Sequence, residues 1–416
     1  GEFITTNLNV PRIDIFSYTL ENRGWVDHEW LSQVIFYTVF KKFGWLGINM
    51  LKALIVSLCF FIPLFLIYSR YKNIFFTLFI ALLSVLAFGY RSFARPEIFS
   101  YLLLCLFFYI LEKDGKIFFL PILQILWVNL HGYFILGPLL ILLYFIGKWL
   151  SGDKARAKEL AIVFIMTVLA CFINPNFIRG ALYPFRLLLN MFLEQDIRSN
   201  IAELGMPIKS NFGRYIFLWV LAILSSVTFF LNIKKAKIEH ILLYAISFFA
   251  AYMLLRNVAI FIFLAMPLAS INLNEASLTK NIPEKKYYPL LIIVVCYLVY
   301  FFWSDGYYKF TGQLPMRKTG SEFSRLLTPF GACEFLKKNN IKGRIFATFD
   351  FGAYAAYMFY PERRVFIGPW SDSYKAIYKP YLSAEDYPET LAGLQKKYDF
   401  NISLIRHLFK DQERLL

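Results

Sequence analysis

Apolar residues are grouped along the chain in long blocks, separated by short segments that carry Lys and Arg. The blocks contain about 15 to 25 residues, which matches the roughly 20 residues that a helix needs to cross the core of a bilayer. The pattern therefore predicts an all-α polytopic membrane bundle of about ten spans. The predicted spans lie at residues 44–68, 73–89, 98–112, 117–130, 132–149, 159–173, 215–231, 240–255, 258–272 and 287–303.

The composition excludes an ordinary soluble protein. Of the 416 residues, 58% are hydrophobic and 17% are charged, against roughly 25% charged residues in soluble domains. The formal net charge of +16 does not indicate a nucleic-acid partner, because the basic residues lie mostly in the short loops between apolar blocks. The five cysteines form no CxxC pair, so neither a zinc site nor a redox site is predicted.

The distribution of Lys and Arg between alternate loops predicts the orientation. One set of short loops carries fourteen of these residues and the other set carries eight, and the more basic set is expected to face the cytoplasm. Residues 1–43 and the segment after residue 304 then lie together on the extracytoplasmic face. An external N-terminal segment needs a preceding helix or a cleaved signal, so we expect at least one further transmembrane helix to precede residue 1.

The chain is predicted to contain three parts. Residues 1–43 form the first extracytoplasmic loop, residues 44–303 form the transmembrane domain, and residues 304–416 form a small extracytoplasmic α/β domain. In the last part the long apolar runs stop, and segments typical of helices and strands alternate, which favours a parallel sheet. The predicted order is helix 332–339, strand 344–348, helix 354–360, strand 364–367, helix 384–397 and strand 401–405.

The first predicted loop contains a concentrated group of polar residues. Asp27 and Glu29 flank His28, and Asp14 lies upstream of them. A carboxylate at the membrane surface can act as a general base on an incoming hydroxyl group or can hold a divalent cation. The structural alternative is that Asp27 caps the following helix and Trp30 anchors it at the membrane interface.

A second group of charged residues, Arg91, Arg95 and Glu97, lies in the next predicted external loop. Two arginines at the ends of apolar spans can bind the phosphate or diphosphate of a lipid through bidentate hydrogen bonds. The alternative is that each arginine extends to ordinary lipid headgroups without further function.

Two further polar sites interrupt apolar runs on the same predicted face. Asn129 and His131 lie beside Gly132, and Arg256 lies between two apolar runs with hardly any loop. Polar and charged groups at this depth need partners or a water-filled cavity. Packing between helices is the alternative for Asn129 and His131, whereas for Arg256 the predicted partner is an external carboxylate or an anionic substrate.

Several motifs together resemble a widespread group of bacterial integral membrane proteins related to the type C glycosyltransferase superfamily. The resemblance covers nearly the whole chain, and it extends into the tail through Gly343-Arg344-Ile345-Phe346 and Val365-Phe366-Ile367. The remaining motifs are Gly1-Glu2-Phe3-Ile4, Pro11-Arg12, Asp14-Ile15-Phe16-Ser17, His28-Glu29-Trp30-Leu31, Arg95-Pro96, Trp127-Val128-Asn129-Leu130-His131-Gly132, Asn174-Pro175 and Arg256.

The resemblance implies a protein of the bacterial cytoplasmic (inner) membrane with an external active site and a polyprenyl-phosphate-linked sugar donor. It also implies an acidic residue of the first external loop as base or metal ligand. In the group, a prominent Asp usually precedes the Gly-Glu pair, ahead of the first residue of this sequence. The tail departs from the group as well, because Gly368, Pro369 and Trp370 stand where Asp and Arg are usual.

Two hypotheses follow, a glycosyltransferase-like enzyme and a non-catalytic membrane scaffold or complex subunit with the same fold. A secondary transporter would show internal repeats, which the sequence lacks. The expected partners are membrane lipids, a lipid-linked sugar and other envelope proteins. No cofactor is predicted by a motif, although a divalent cation is compatible with the first loop. The candidate catalytic residues are Asp27, Glu29 and Asp14, and the candidate substrate-binding residues are His28, Arg91, Arg95, Glu97, Asn129, His131 and Arg256.

Overall fold

The computed structural model describes residues 1–21, 23–71, 75–113, 115–193, 202–209, 212–276, 288–313, 320, 328–368 and 375–405. Within these residues the chain forms eighteen α-helices and two short β-strands. It divides into two compact units, of which the first contains residues 1–2 and 28–322 and the second contains residues 3–27 and 323–416. The domain boundaries that the sequence predicts at residues 43 and 304 stay predictions.

The first unit is a bundle of helices. As far as the described residues extend, each of the ten predicted apolar blocks coincides with a helix. A short helix α1 (Glu2–Asn7) precedes them in the chain, and its residues from Phe3 onwards belong to the second unit. The helices that follow are α2 (Trp30–Tyr71), α3 (Phe75–Phe88), α4 (Glu97–Glu112), α5 (Leu120–Leu130), α6 (Leu136–Leu150), α7 (Lys154–Ala170), α8 (Ile178–Ala181), α9 (Tyr183–Leu193), α10 (Ile216–Leu231), α11 (Ile238–Met253), α12 (Val258–Glu275), α13 (Tyr288–Trp303) and α14 (Gly306–Phe310).

Four helical segments are long and apolar enough to cross a membrane, judged by length and composition. They are Trp30–Tyr71, Gly132–Leu150, Gly213–Leu231 and Leu255–Glu275. Four further apolar helices are shorter. The segments support the prediction of a membrane-embedded protein, whereas the predicted number of about ten spans is not confirmed.

Helix α12 lies at the centre of the bundle. Its residues from Val258 to Asn272 are all buried, and it packs against α2, α3, α4, α10 and α11. A helix that is apolar on every side is expected in the interior of a bundle rather than at its surface. These five helices therefore surround α12.

The backbone breaks at two places that shape the bundle. Gly44 has a φ of 59° inside α2, and this left-handed conformation is accessible to glycine at little cost. The helix is therefore interrupted there. Between α5 and α6, His131 has an extended backbone and Gly132 begins a short 3₁₀ turn that ends at Ile135. Side chains around residue 131 can consequently leave the helix axis and face a neighbouring helix.

A buried polar cluster ties several helices together at the end of α4 opposite Glu97. The side chain of Glu112 is fully buried. Its Oε1 atom lies 2.7 Å from Nε2 of His240 and accepts a 2.7 Å hydrogen bond from Tyr144. Its Oε2 atom lies 3.1 Å from Nη1 of Arg70 and 3.4 Å from Nζ of Lys237. A buried carboxylate requires such partners, because burial without them is costly.

The cluster continues through a second carboxylate at the end of α12. Nη2 of Arg70 lies 3.2 Å from Oε1 of Glu275, which also accepts a 2.9 Å hydrogen bond from Tyr71. Asn232 donates to the other carboxylate oxygen at 3.2 Å. Residues from α2, α4, α6, α11 and α12, together with Asn232 directly after α10, are therefore joined at this end of the bundle.

The second unit is built on parallel backbone pairing. Strand β1 (Ile345–Ala347) pairs in parallel with β2 (Ile402–Leu404). On the other side of β1, Ile345 forms a parallel bridge with Val365, which forms a further parallel bridge with Ser17. The helices of this unit are α15 (Phe330–Lys338), α16 (Phe349–Phe359), α17 (Lys375–Asp386) and α18 (Pro388–Tyr398). The small parallel layer agrees with the sequence prediction, and a segment near residue 17 extends it.

Two details of this unit differ from the predicted elements. The strand expected at 364–367 is reduced to the bridges of Val365. The single helix expected at 384–397 is two helices, because α17 ends at Asp386 and α18 begins at Pro388. Proline lacks the backbone N–H that a helix interior requires and is favoured at the first helical position. It therefore starts α18 and does not continue α17.

We expect Gly352→Ala to destabilise the second unit. A Cβ atom at this position of α16 would overlap the carbonyl oxygen of Ile367, and overpacking of this kind costs about 1–3 kcal/mol. Hydrogen–deuterium exchange at the amides of β1 should therefore become faster. Gly331→Ala is the control, because no atom lies within 4 Å of its Cβ position. Equal exchange in both variants would contradict the close approach at Gly352.

Candidate functional site

Two histidines of the first unit face one carboxylate. Glu29 immediately precedes α2, and His131 follows the last residue of α5. Oε1 of Glu29 lies 3.3 Å from Nε2 of His131 and 3.5 Å from Nε2 of His28. The ring of His28 stacks on that of Tyr183 at a centroid distance of 4.1 Å. Residues from two motifs that are a hundred positions apart thus form one group, which we call the Glu29 cluster (His28, Glu29 and His131).

The break after α5 allows the two histidines to approach each other. A Cβ atom at Gly132 would lie 3.3 Å from Cδ2 of His28 and 3.5 Å from its Nε2. These distances are close to the limit of van der Waals contact, so a larger residue at position 132 would push the His28 ring away. The glycine that the sequence places after His131 therefore has a packing role.

Electrostatics determine the charges of Glu29 and His131. Burial raises the pKa of Glu29, but the hydrogen bond from His28 and the nearby charges, including that of Arg256, outweigh burial and lower the pKa to about 2. Burial lowers the pKa of His131 to about 3, in spite of the adjacent carboxylate. Glu29 is therefore ionised and His131 is neutral at physiological pH.

Arg256 contacts the side chain of Tyr133. Its Nε atom donates a 3.1 Å hydrogen bond to the Tyr133 hydroxyl group, and its guanidinium carbon lies 5.4 Å from the centroid of the ring. The hydroxyl group in turn donates to the backbone oxygen of Arg256 at 3.1 Å. The arginine is held by an aromatic side chain and not by a carboxylate at hydrogen-bond distance among the described residues. It therefore keeps a positive charge available beside the cluster.

The two arginines of the second motif pair with carboxylates. Nη2 of Arg91 lies 2.8 and 2.9 Å from the two carboxylate oxygens of Glu97, and its Nη1 lies 3.4 Å from Oε1 of Glu203. Arg95 donates to the same oxygen of Glu203. Burial raises the pKa of Glu203, and the two arginines outweigh it and lower the pKa. These arginines are consequently neutralised by the protein itself.

An apolar groove of about 200 Å³ begins beside the Glu29 cluster. Its polar end is lined by His28, His131, Tyr133, Tyr183, Arg256 and Asn257. The rest of its wall is aliphatic, with Leu136, Leu139, Leu140 and Leu143 from α6 and residues of α9, α11 and α12. The α6 positions follow the i, i+3, i+4, i+7 spacing of one helix face. The groove therefore combines a few polar and charged lining residues with a larger aliphatic wall.

Asn129 is used for packing. Its Oδ1 atom accepts a 2.7 Å hydrogen bond from Trp30, and its amide group donates to the backbone oxygens of Ile125 and Ile173 at 2.7 and 2.9 Å. The amide thereby links α2, α5 and the residues after α7. This arrangement corresponds to the structural alternative that the sequence left open for this residue.

The two aspartates of the first loop belong to the second unit. Asp14 is buried, and its Oδ1 accepts hydrogen bonds from the backbone N–H groups of Phe16 and Ser17 at 2.8 and 3.0 Å. Its Oδ2 accepts a 2.8 Å hydrogen bond from the Ser17 hydroxyl group. Asp27 is also buried. The bonds of Asp14 shape a turn, and the catalytic role that the sequence suggested for both residues stays a prediction.

The sequence analysis gave no site role to three residues that complete the site. Ser100 contacts His131 directly and Trp127 contacts it through Ser100. Ser100 lies inside an apolar block where nothing marks it, and Trp127 entered the sequence analysis only as part of a motif. Glu203 lies in the long loop between α9 and α10, and its pairing with Arg95 joins positions 108 residues apart. The charge of Arg91 and Arg95 signals that an anion is near, but the sequence does not identify which one.

Among the residues that the structure describes, no group of three or more His, Cys, Asp and Glu side chains is arranged to hold a metal ion. The sequence analysis left a divalent cation open, and the described residues provide no set of ligands to which we can assign it. Comparison with protein-family models and with curated protein sequences finds no match to this chain.

Proposed function

We propose that this chain is an integral membrane glycosyltransferase-like protein that transfers a sugar from a polyprenyl-phosphate-linked donor on the extracytoplasmic face. The observation that carries the proposal is the groove, which joins an aliphatic interior to a mouth containing Arg256, His28 and His131. A lipid-linked sugar phosphate has the same division into an apolar chain and an anionic head. The sequence resemblance to the type C superfamily points to the same class of donor.

The dimensions of the groove suit an extended lipid chain. Its wall on α11 extends from Leu243 to Ala250, and this stretch of helix is about 10 Å long at 1.5 Å per residue. Hydrocarbon enters such a space favourably, because each buried CH₂ group contributes about 0.8 kcal/mol. The lipid would therefore supply binding energy, while the polar mouth orients the head.

The polar residues have separate roles in this proposal. Arg256 neutralises the phosphate, because its charge is not cancelled by a direct carboxylate partner in the described residues. Glu29 accepts the proton of the attacking hydroxyl group. With a pKa of about 2 it is a weak base, which suits a late proton transfer to a hydroxyl group that becomes acidic as it attacks an oxocarbenium-like centre. Arg91 and Arg95 hold the loop residue Glu203 beside the site.

The proposed topology follows the basic loops. We propose about ten spans in a bacterial cytoplasmic membrane, with residues 1–43 and the C-terminal domain outside. The polar cluster around Glu112 would then lie at the cytoplasmic side, and the Glu29 cluster would lie at the external side. Labelling of single cysteines at the exposed positions Thr6 and Ser383 from outside intact cells tests this orientation. Protection of either position would contradict it.

The function is tested with purified protein in liposomes. We expect transfer or hydrolysis of sugar from a panel of polyprenyl-phosphate-linked hexoses, measured by chromatography of the released and transferred sugar. Absence of both reactions with every donor would remove the enzymatic proposal. It would favour the alternative of a non-catalytic membrane scaffold. That alternative is supported by one observation, the pairing of Arg91 and Arg95 with carboxylates of the chain itself.

We expect Arg256→Gln to weaken donor binding more than it lowers kcat, the turnover rate of the enzyme with bound donor. The lost hydrogen bond to a charged phosphate corresponds to about 1.5–3 kcal/mol, or a roughly 10- to 100-fold increase in KM. Steady-state kinetics in liposomes measure this change. Arg179→Gln is the matched control, because Arg179 is an exposed arginine of the short helix α8. An unchanged KM in Arg256→Gln would exclude Arg256 as the phosphate ligand.

A further inference from the structure

A chain of three buried hydrogen-bonding groups ends at His131. Nε1 of Trp127 donates to Oγ of Ser100 at 2.8 Å, and Oγ of Ser100 lies 3.0 Å from Nδ1 of His131. The backbone N–H of Tyr133 points at the same ring nitrogen at 3.3 Å. The side chains of Trp127, Ser100 and His131 are all buried. The three groups connect α4 to α5 directly behind the Glu29 cluster.

The direction of each hydrogen bond follows from the donors available. The backbone N–H of Tyr133 can only donate, so Nδ1 of His131 accepts there and must carry a lone pair and no proton. The hydrogen bond between Ser100 and Nδ1 then uses the Ser100 proton, since Nδ1 has none to give. The indole N–H of Trp127 can also only donate, and it bonds to a lone pair of the Ser100 oxygen. The proton of the neutral ring is then on Nε2, where it donates to Glu29.

We propose that Ser100, supported by Trp127, is a positioning residue of this site, because it fixes His131 in the Nε2–H tautomer and thereby fixes the orientation of the Glu29 carboxylate. His131 donates to Oε1, which His28 also faces. Among the described residues, Oε2 of Glu29 makes no hydrogen bond. The relay therefore leaves Oε2 for the acceptor hydroxyl group, and it excludes His131 as the general base.

The tautomer of His131 does not depend on the proposed function. The catalytic consequence of the tautomer rests on the proposed function. Other charged and titratable groups near His131 are Glu29, His28 and Arg256. The carboxylate favours a proton on Nε2, in agreement with the relay, and the positive charge of Arg256 disfavours the doubly protonated ring. The surroundings of the ring thus favour a single state of His131.

The test is ¹⁵N NMR of histidine-labelled protein in detergent micelles. The chain contains four histidines, and the His131 signals are assigned by their loss in His131→Gln. We expect an unprotonated Nδ1 and a protonated Nε2 at neutral pH. A protonated Nδ1 in the wild type would overturn the relay, whether or not the protein is an enzyme.

Variants of Ser100 test the cause. In Ser100→Ala, Nδ1 of His131 loses a hydrogen bond that stabilises the neutral ring, so the ring should protonate more readily. We expect the protonation equilibrium to change about tenfold, which corresponds to the free energy of one ordinary hydrogen bond. The NMR titration midpoint should rise by about one pH unit, and Ser100→Thr should restore it. An unchanged midpoint in Ser100→Ala would overturn the role of Ser100. If Ser100→Ala does not fold, Trp127→Phe provides a second variant, in which the Ser100 hydroxyl group loses its fixed direction and the midpoint should also rise.

Activity separates this inference from the proposed function. If liposomes show sugar transfer, Ser100→Ala should lower kcat more than it changes KM for the donor, because Glu29 would be less well oriented in the transition state. A wild type with the expected tautomer but without transfer would leave the relay intact and remove the proposed reaction. Transfer that is unaffected by Ser100→Ala would remove its positioning role in catalysis.

Discussion

Replacement of Glu29 by Gln should lower the rate of sugar transfer by about 10²- to 10⁴-fold, the range that general-base residues contribute. Gln has nearly the same shape as Glu and can still accept the hydrogen bond from His131, but it carries no charge and takes no proton. Donor binding should therefore change little, as expected for an interaction that acts mainly in the transition state. Single-turnover rates and donor binding in liposomes measure the two effects separately.

The control for Glu29→Gln is Glu21→Gln. Glu21 is a carboxylate of the same N-terminal segment, its side chain is 63% exposed, and its partner is Arg364. Exposed ion pairs contribute little, so transfer should remain at the wild-type rate. Full activity in Glu29→Gln would remove Glu29 from the mechanism. Equal loss in both variants would indicate a general defect of the protein.

The depressed pKa of Glu29 also predicts a pH dependence. Because the pKa falls from its ordinary value near 4.5 to about 2, the active ionised form persists as the pH is lowered through 4.5. The pH profile of kcat should therefore show no acid limb from Glu29 near pH 4.5. The same shift stabilises the fold above pH 4.5, and this contribution is lost progressively as the pH falls towards 2. An acid limb near 4.5 that disappears in Glu29→Gln would contradict the electrostatic description.

The second large effect is expected at the opposite end of the bundle. Glu112→Gln should lower the free energy of unfolding by about 3–5 kcal/mol, the usual cost of removing one partner from a buried ion pair. Gln can accept the hydrogen bond of Tyr144, but Arg70 and Lys237 lose the charge that compensates theirs. Thermal or denaturant unfolding in detergent micelles measures the change.

Glu159→Gln is the matched control for Glu112→Gln. Glu159 also pairs with an arginine, at 2.7 Å from Arg156, but its side chain is 50% exposed. The free energy of unfolding should change by less than about 1 kcal/mol. Similar losses in both variants would show that burial does not determine the contribution of Glu112.

The helices were predictable from the sequence because their positions depend on local composition. Each apolar block is long and uniform, and a backbone surrounded by hydrocarbon must satisfy its own hydrogen bonds, which requires a helix. Polar interruptions such as His131-Gly132 mark the helix ends for the same reason. The number of blocks that cross the membrane depends on tilt and packing, which local composition does not determine.

The partners inside the site were less predictable. From the cost of charges at membrane depth, the sequence predicts that Asp27, Glu29, Arg91, Arg95, His131 and Arg256 converge on one external pocket. Within the first unit, the structure places Nε2 of His131 3.3 Å from Oε1 of Glu29, and the convergence of all six residues stays a prediction. The pairing of Arg95 with Glu203 depends on the path of a long loop. Ser100 is one of many hydroxyl residues in apolar helices, and only its distance to His131 distinguishes it.

The buried central helix α12 restricts how this protein can change by insertion. One added residue inside Val258–Glu275 would rotate everything after it by about 100°, which would turn either Arg256 or Glu275 away from its neighbours. Substitutions preserve this register, but insertions and deletions do not. A library of single-residue insertions should therefore be depleted across α12, whereas insertions should survive at Gly152, an open turn position with a φ of 84° and no atom within 4 Å of its Cβ position.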